Sequence, residues 1–497
     1  MYTIVTRTNK GFPLTWVEMD NNLNNLNYGS YISVKDTAYG AVGDNITDDT
    51  AACQAAINAV AAAGGGIVYF PPGAYSISSL NITGNNVTLV GSNRASYINS
   101  NDNVNDIINI ASNITNTQIK DLGFSTKTGT VRTGGYFIWA YGSEVNVINC
   151  RFTKGKNGLY FGSASSNCLI DNCSFLNFDN NNSGSVIAIV SSGSNFIINN
   201  CFIDNTSDAV GPSSGIYIAR GRDITISNCN IFHCRYSLYI TTYLTNSVTS
   251  LFCSNTLFNS SSTGIFIAPF TSGSISRCHF INCSASYNTD RGIFLSGIQS
   301  TLSGICFTDV QVNLNTNVGI SIAGPSTSDL VFNGGQAAGN GTGFYTDLIS
   351  TGFYLRHFHV GSGFGLNGNT HGVFITAGAT NYEISNCVIA GNTSTQFVDN
   401  AKTGRVFRNY STSGTKTYNS GTGSITIGST TTTITHELNN TPSLGEINIT
   451  PTIAFNNNWL YLVPGSVGAT TFQVASQTTV AGSNFTFSWS ASCQNDY

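Results

Sequence analysis

A cysteine returns along this sequence at nearly fixed intervals, in INCRF at 148, DNCSF at 171, NNCFI at 199, SNCNIF at 227, and then in LFCSN, SRCHF and GICFT. Cys150, Cys173, Cys201, Cys229, Cys253, Cys278 and Cys306 are separated by 23, 28, 28, 24, 25 and 28 residues. Self-similarity at that period is the mark of a solenoid. Within each unit, short alternating runs such as GIYIA and ITIS, or GIFIA and GSIS, are divided by Gly, Ser and Asn. That is the strand-and-turn pattern of stacked parallel coils, so the chain should be all-β. Equivalent residues of successive coils lie one strand spacing apart, ~4.8 Å, and the seven cysteines are therefore expected in one interior column. Cys387, in EISNCVI, extends the pattern further.

Thirteen cysteines is an odd number, and their regular placement speaks against a disulfide framework. The three C-x4-C pairs lack the spacing of zinc sites, so no metal and no cofactor are expected. Only 9% of the chain is Asp, Glu, Lys or Arg, and solubility must come from Asn, Ser, Thr and 52 Gly. A net charge of −4 offers no footprint for nucleic acid or an anionic membrane. No segment reads as a membrane span, and the opening MYTIVTRTNKGFPLTWVEMDNNL has no apolar core of signal-peptide length.

A solenoid has an open end that must be covered. The run TDDTAACQAAINAV at 47–60 predicts a helical cap, with Ala52, Cys53, Ala56, Ile57 and Val60 turned inward and Asp48 or Asp49 as its N-cap. In its context, D-x-x-x-GAVGD-x-x-TDDTAACQAAI followed by GGGIVYFPPGAY, this run resembles the opening of the pectate-lyase-like right-handed parallel β-helix superfamily, in the form found in bacteriophage tailspikes. TRTNKGFPLTWVEMDNNLNNL at 6–26 is similar to the short virion-anchoring peptide that begins tail fibre and tailspike proteins. The resemblance implies a homotrimer on the virion tail, made in the host cytoplasm, attached to tail or baseplate proteins through its N-terminal segment. It also implies a protein that binds, and usually cleaves, a bacterial surface polysaccharide, capsule or O-antigen. It transfers no catalytic residue, because the calcium-binding aspartates and the arginine motif of pectate lyases are missing from these coils.

Beyond residue 411 the cysteine repeat ends, and SITIGSTTTTITHEL, EINITPTIAF, NWLYLVP, TTFQVAS and NFTFSWSAS read as antiparallel strands. The expected organisation is an anchoring segment at 1–28, a β-helix at 29–411 and a small β-sandwich at 412–497, which resembles the C-terminal domains of tailspikes and by that resemblance is expected to knit the trimer or hold a second sugar. Trp459, Tyr461 and Trp489 suit either task or the sandwich core.

Tyr217, Phe266 and Phe294 stand twelve residues ahead of Cys229, Cys278 and Cys306, which predicts a shared column, and Tyr160, Tyr239 and Phe374 occupy similar places. Their aliphatic neighbours alternate with them, so the aromatics should face outward, either to stack on sugar rings or to pack on another subunit. In the loops leading into these strands, Lys156, Asp179 and Arg235 lie six residues after a repeat cysteine and Asp208 lies seven after. Two carboxylates on adjacent coils can stand about 5 Å apart, the separation of a retaining glycosidase pair, and their repulsion raises one pKa as an acid catalyst requires. The other reading is a solvated ladder of alternating charge. Asp290 is a further catalytic candidate, and Arg291 beside it can bind a charged sugar. His233, Arg235 and Tyr236 offer a lyase instead, with a base beside a uronate and Arg235 neutralising its acid.

Overall fold

A computed structural model describes residues 13, 15, 31–127, 132–178, 184–205, 214–270, 272–347, 349–363, 365–411, 418–436, 438, 441–452, 459–480 and 483–496. The chain divides into two compact units, one up to Ser261 and one from Ser262.

In the first unit the chain winds through three parallel sheets. The first sheet includes Ile108–Ile110, Tyr136–Ala140, Asn157–Phe161, the opening halves of Ser185–Asn199 and Ser214–Ser227, and Tyr236–Thr242. The second sheet holds the closing halves of those two long strands with Ser143–Ile148, Cys168–Asp171 and Ser247–Ser254. Three-residue strands such as Arg151–Thr153, Ser174–Leu176 and Phe202–Asp204 make the third. Between the second and third sheets the chain turns on one left-handed residue per coil, Asn149, Asn172, Asn200, Asn228 and Asn255, each with φ between 49° and 54°. Asparagine tolerates this conformation where most side chains do not, and its amide bonds the coil below, as Asn172 Nδ2 does to Asn149 Oδ1 at 3.2 Å.

The residue after each turn points inward. There Cys150, Cys173, Cys201 and Cys229 form a buried column, each thiol donating to the carbonyl two residues earlier at 3.1–3.3 Å. The expected seven-membered column is corrected at this point. Thr256, not Cys253, follows Asn255, and Cys253 lies inside the second sheet opposite Ile226. In the second unit Cys283 and Cys387 hold the place after their turns, while Cys278 lies in the second sheet opposite Ile305. Cys306, opposite His279 and partly exposed, turns outward. Coil length varies with the loops, so a cysteine spacing near the period need not mark equivalent positions. All thirteen cysteines are free thiols.

Phenyl rings fill the interior at the coil spacing. Phe124, Phe152 and Phe175 stack 4.8 Å apart in the first unit, and Phe280, Phe307 and Phe332 stack at 4.6 and 5.0 Å in the second. The second unit repeats the three sheets and adds a buried amide ladder, Asn288, Asn315, Asn340, Asn369 and Asn392, in which each side chain donates to the next Oδ1 at 2.9 Å.

The cap is present as the helix Thr50–Ala62, which buries Cys53, Ala56, Ile57 and Val60 against Leu80–Ile82 and Gly66–Phe70. Asp49 is its N-cap by position but makes no side-chain cap bond. Its buried carboxylate instead accepts the N–H groups of Val42 and Gly43 at 2.7 and 3.1 Å, closing the GAVGD loop, and Asp48 takes the Thr50 N–H at 3.0 Å.

The C-terminal part has two antiparallel sheets. Tyr418–Ile425, Phe485–Ser492 and Ile447–Pro451 form one, and Thr431–Thr435, Thr471–Ser476 and Leu460–Leu462 the other. They share a core that includes Ile425, Phe472, Phe487 and Trp489. Trp489 is thus a core residue, whereas Trp459 and Tyr461 are 73% and 48% exposed. Among the described residues no helix is long and apolar enough to cross a membrane.

Candidate functional site

Each strand of the first sheet alternates buried aliphatics with outward side chains, as in Ser214–Ser227, where Ile216 and Ile218 are fully buried and Tyr217 between them is not. Strand register then lines up the outward residues. In the first unit Trp139, Tyr160, Ala188, Tyr217 and Tyr239 are successive neighbours. In the second unit the series is Phe266, Phe294, Ser321, Tyr345 and Phe374. Both read as two aromatics, one small residue and two aromatics. The predicted outward stripe is therefore present, with Trp139 and Tyr345 added to it.

In the first unit Trp139 and Tyr160 stack at 4.0 Å with planes 13° apart, and Tyr136 lies 5.2 and 5.3 Å from them. Tyr239 is 5.6 Å from Tyr217 and 5.0 Å from Tyr236. Burial pushes the Tyr136 and Tyr239 hydroxyls up to about 12 and raises that of Tyr217 further, so these phenols remain protonated hydrogen-bond donors at neutral pH. At the near edge Asp106 accepts the Tyr136 N–H at 2.7 Å, and burial raises its carboxyl above the ordinary range against the opposing pull of that bond and of Arg132. Arg132 is buried and held by Ser100 Oγ at 2.6 Å and the carbonyls of Asn105 and Gly134 at 2.6 and 3.1 Å. Asp106 has no place among the cysteine offsets, because its coil precedes Cys150, the first of the repeat cysteines. Its signal is a carboxyl just ahead of the strand that pairs with YFIWA.

Lys156 stands directly before Asn157 and Arg235 directly before Tyr236, at the threshold of the sheet. Arg235 is exposed, with its guanidinium 5.2 Å from the Tyr236 ring. Asp179 and Asp208 lie outside the described residues. By sequence they stand six positions ahead of Ser185 and Ser214, which are paired neighbours, so they share an offset with each other and not with Lys156 and Arg235. Sequence reasoning also missed Asp204, which meets His233 Nδ1 at 2.8 Å two residues before Arg235.

In the second unit the Arg291 guanidinium lies 4.2 Å from the centre of the Phe294 ring and donates to Ser321 Oγ at 3.2 Å. Asp290 is 3.6 Å from Arg291 Nε and accepts from Asn317 Nδ2 at 3.0 Å, so it is engaged by a cation and an amide. Phe266 stacks on Phe294 at 5.1 Å. A shallow depression beside them is lined by Asn317, Thr342, Tyr345 and His371. Among the described residues no group of three His, Cys, Asp or Glu could hold a metal ion. The two outward faces offer flat aromatic surface with hydroxyl and amide groups around it, a surface chemistry suited to sugar rings.

Residues 31–239 match the family model for rhamnogalacturonase A/epimerase, pectate lyase-like, and residues 212–334 match that for the right handed beta helix region. The chain thus carries a pectate-lyase-like right-handed parallel β-helix. A 46-residue stretch is 61% identical to mannuronan C5-epimerase AlgE5 of Azotobacter vinelandii, covering 9% of this chain and 4% of the epimerase. Alginate lyase 7 of the same organism is 48% identical over 61 residues, 12% of this chain and 7% of that protein. The match therefore spans a small fraction of these relatives' length. Among solved structures, the A-module of Azotobacter vinelandii mannuronan C-5 epimerase AlgE4 superposes with a TM-score of 0.54 at 18% identity, over 77% of this chain and 100% of the module. The Dettilon tailspike protein (gp208) gives 0.52 at 13% identity, over 94% and 95% of the two chains. These likenesses establish the fold shared with phage tailspikes.

Proposed function

We propose that this protein is a phage tailspike that binds a bacterial surface polysaccharide, capsule or O-antigen, along the outer face of its first sheet and depolymerises it by glycosidic hydrolysis. The observation that carries this reading is the outward aromatic series Trp139, Tyr160, Ala188, Tyr217 and Tyr239, a sugar-stacking surface on the sheet into which the acid-bearing loops lead. Asp179 and Asp208 are the proposed pair, one as nucleophile and one as general acid. Their common offset from the paired Ser185 and Ser214 supports equivalent places on neighbouring coils. Lys156, Arg235, Tyr236 and Arg291 are proposed substrate contacts, and Asp290 the reserve acid. Segment 1–28 is proposed to join the chain to tail or baseplate proteins in a homotrimer on the virion tail; apart from residues 13 and 15 it lies outside the described residues.

A second reading rests on the Asp204–His233 pair. His233 oriented by Asp204 can take the proton beside a uronate carboxylate while Arg235 neutralises that acid, and the glycosidic bond then breaks to leave an unsaturated sugar end. Epimerase and lyase names among the relatives fit a uronate substrate. One assay separates the readings. On capsule or O-antigen polysaccharide, new reducing ends without ultraviolet absorbance mean hydrolysis, both together mean a lyase, and neither means a receptor-binding spike without catalysis. Asp179→Asn and Asp208→Asn should each lower cleavage ~10²-fold or more with binding retained. Near-normal cleavage by both variants overturns the hydrolase pair.

A further inference from the structure

Three positions ahead of the aromatic stripe, strand register lines up a second row on the first sheet. Tyr136, Asn157, Ser185, Ser214 and Tyr236 are its successive members, and the pairing of Ile138 with Ile108, carried two residues back, sets Asp106 opposite Tyr136. Two fully buried residues separate each row from the other, Phe137 and Ile138 between Tyr136 and Trp139, Ile107 and Ile108 between Asp106 and Asn109. Asp106 thus opens on the face where Tyr136 meets the stacked rings of Trp139 and Tyr160, and it is the one carboxylate among these six residues.

The main-chain task at this place does not require a carboxylate. Asp106 Oδ1 accepts the Tyr136 N–H at 2.7 Å, and in the same row Asn157 Oδ1 accepts the Ser185 N–H at 3.2 Å. An amide performs the structural task there, whereas burial of Asp106 disfavours its charge and raises its carboxyl. Asp106 Oδ2 makes no hydrogen bond among the described residues. The buried Arg132 bonds Ser100 Oγ and the carbonyls of Asn105 and Gly134, which fixes the segments leading into both Asp106 and Tyr136. The carboxylate is therefore held in place before a ligand arrives, with one oxygen free. A pyranose packed against the Trp139 and Tyr160 rings presents the complement, an apolar C–H face rimmed by hydroxyl donors. A uronate at the same place meets like charge.

We propose that Asp106 is a specificity-determining residue of the polysaccharide face: its carboxylate accepts adjacent hydroxyls of a neutral sugar packed against Trp139 and Tyr160, and it turns away an acidic sugar at that place. The inference rests on the first-sheet binding face proposed for this protein and deepens it by naming the class of sugar held at one end.

The experiment uses the full chain on an array of immobilised capsule and O-antigen polysaccharides, some containing neutral sugars and some built of uronate alone, with sedimentation velocity and thermal melting run in parallel. Asp106→Asn keeps the bond to the Tyr136 N–H, as Asn157 does for Ser185, so its melting temperature and sedimentation should match the wild type. Its affinity for the neutral-sugar polymers that the wild type retains should fall ~10-fold or more, the range of a hydrogen bond to a charged group, and its affinity for polyuronate should not fall. Combined with Trp139→Ala it should lose less than the product of the two single losses, because both side chains act on one sugar. Equal retention of neutral-sugar polymers by Asp106→Asn and the wild type overturns the assignment, as does an equal loss on polyuronate. A lower melting temperature in Asp106→Asn overturns it by making the carboxylate a structural group, and altered sedimentation by assigning it to subunit contact. A wild-type protein that retains no polymer removes the binding face itself and Asp106 with it, whereas a wild type that binds no better than Asp106→Asn removes the role of Asp106 alone.

Discussion

Removing one amide from the buried ladder of the second unit should loosen that unit locally. The Asn315 side chain makes four hydrogen bonds: Nδ2 donates to Asn340 Oδ1 at 2.9 Å and to the Ala285 carbonyl at 3.1 Å, and Oδ1 accepts Asn288 N–H at 3.0 Å and Nδ2 at 2.9 Å. Asn288 and Asn315 are each 1% exposed. In Asn315→Ala the Asn288 N–H and the Ala285 carbonyl, both main-chain groups, lose these partners. A buried polar group deprived of its partner costs ~1–3 kcal/mol, and water entering the vacated space offsets part of it, so about 3 kcal/mol is expected. That corresponds to ~10²-fold. Hydrogen exchange with mass spectrometry should show protection lost by about that factor in peptides spanning 284–318 and 336–342. Asn317→Ala, which removes only an exposed bond to Asp290, serves as the control and should change little. If Asn315→Ala exchanges no faster than Asn317→Ala, the ladder does not carry the strength assigned to it. The ladder also matters for the site, because Asn315 and Asn340 lie just ahead of the strands that present Val318 and Thr342 beside the depression.

Trp139→Ala should weaken polysaccharide binding ~3–10-fold, whereas Phe252→Ala, on the exposed face of the second sheet, should leave titration calorimetry unchanged; equal losses would remove the first sheet as the binding face. Alkaline pH should destabilise the fold. Burial pushes the thiols of Cys168, Cys234 and Cys387 from 9.0 up to about 12, so the unfolded chain releases these protons first. Stability should therefore fall as pH rises from about 9 to about 12, read as a declining melting temperature that cysteine-to-alanine variants at these positions flatten. Thirteen thiols should titrate in denatured, unreduced protein, and a number near zero would contradict the free-thiol interior. Sedimentation should find a homotrimer that resists mild detergent, and a stable monomer at micromolar concentration would remove that proposal.

The coil architecture was legible because a stacked strand leaves a strict local signature. GIYIA, GIFIA and GIFLS fix their own inward and outward faces by alternation, so Tyr217, Phe266 and Phe294 were read correctly. Cys278 and Cys306 are not column residues, and the strand motif rather than the cysteine offset holds Phe266 and Phe294 in register. Asparagine holds the left-handed turn in five successive coils of the first unit, whereas Asp309, Gly334, His357 and Arg408 take it in coils of the second, so neither asparagine nor cysteine marks every coil, and Thr256 fills the interior place as well as Cys229.

The sequence by itself determined the parallel coils, the helical cap with Cys53, Ala56, Ile57 and Val60 turned inward though not the half-buried Ala52, the outward aromatic stripe and the antiparallel strands of the C-terminal part. All of these follow from periodicity within a few residues, and periodicity survives whatever the loops do. Tertiary structure decided which residues meet across coils. It set Asp49 on the GAVGD loop, Asp204 against His233, Arg291 against Ser321, and Asp106 beside Tyr136. Such contacts join residues 6 to 30 positions apart through loops of unequal length, and a difference of one loop residue moves a partner out of reach without altering any local pattern. Spacing alone could not supply that sum of loop lengths, which the hydrogen-bonded register of the sheets fixes coil by coil.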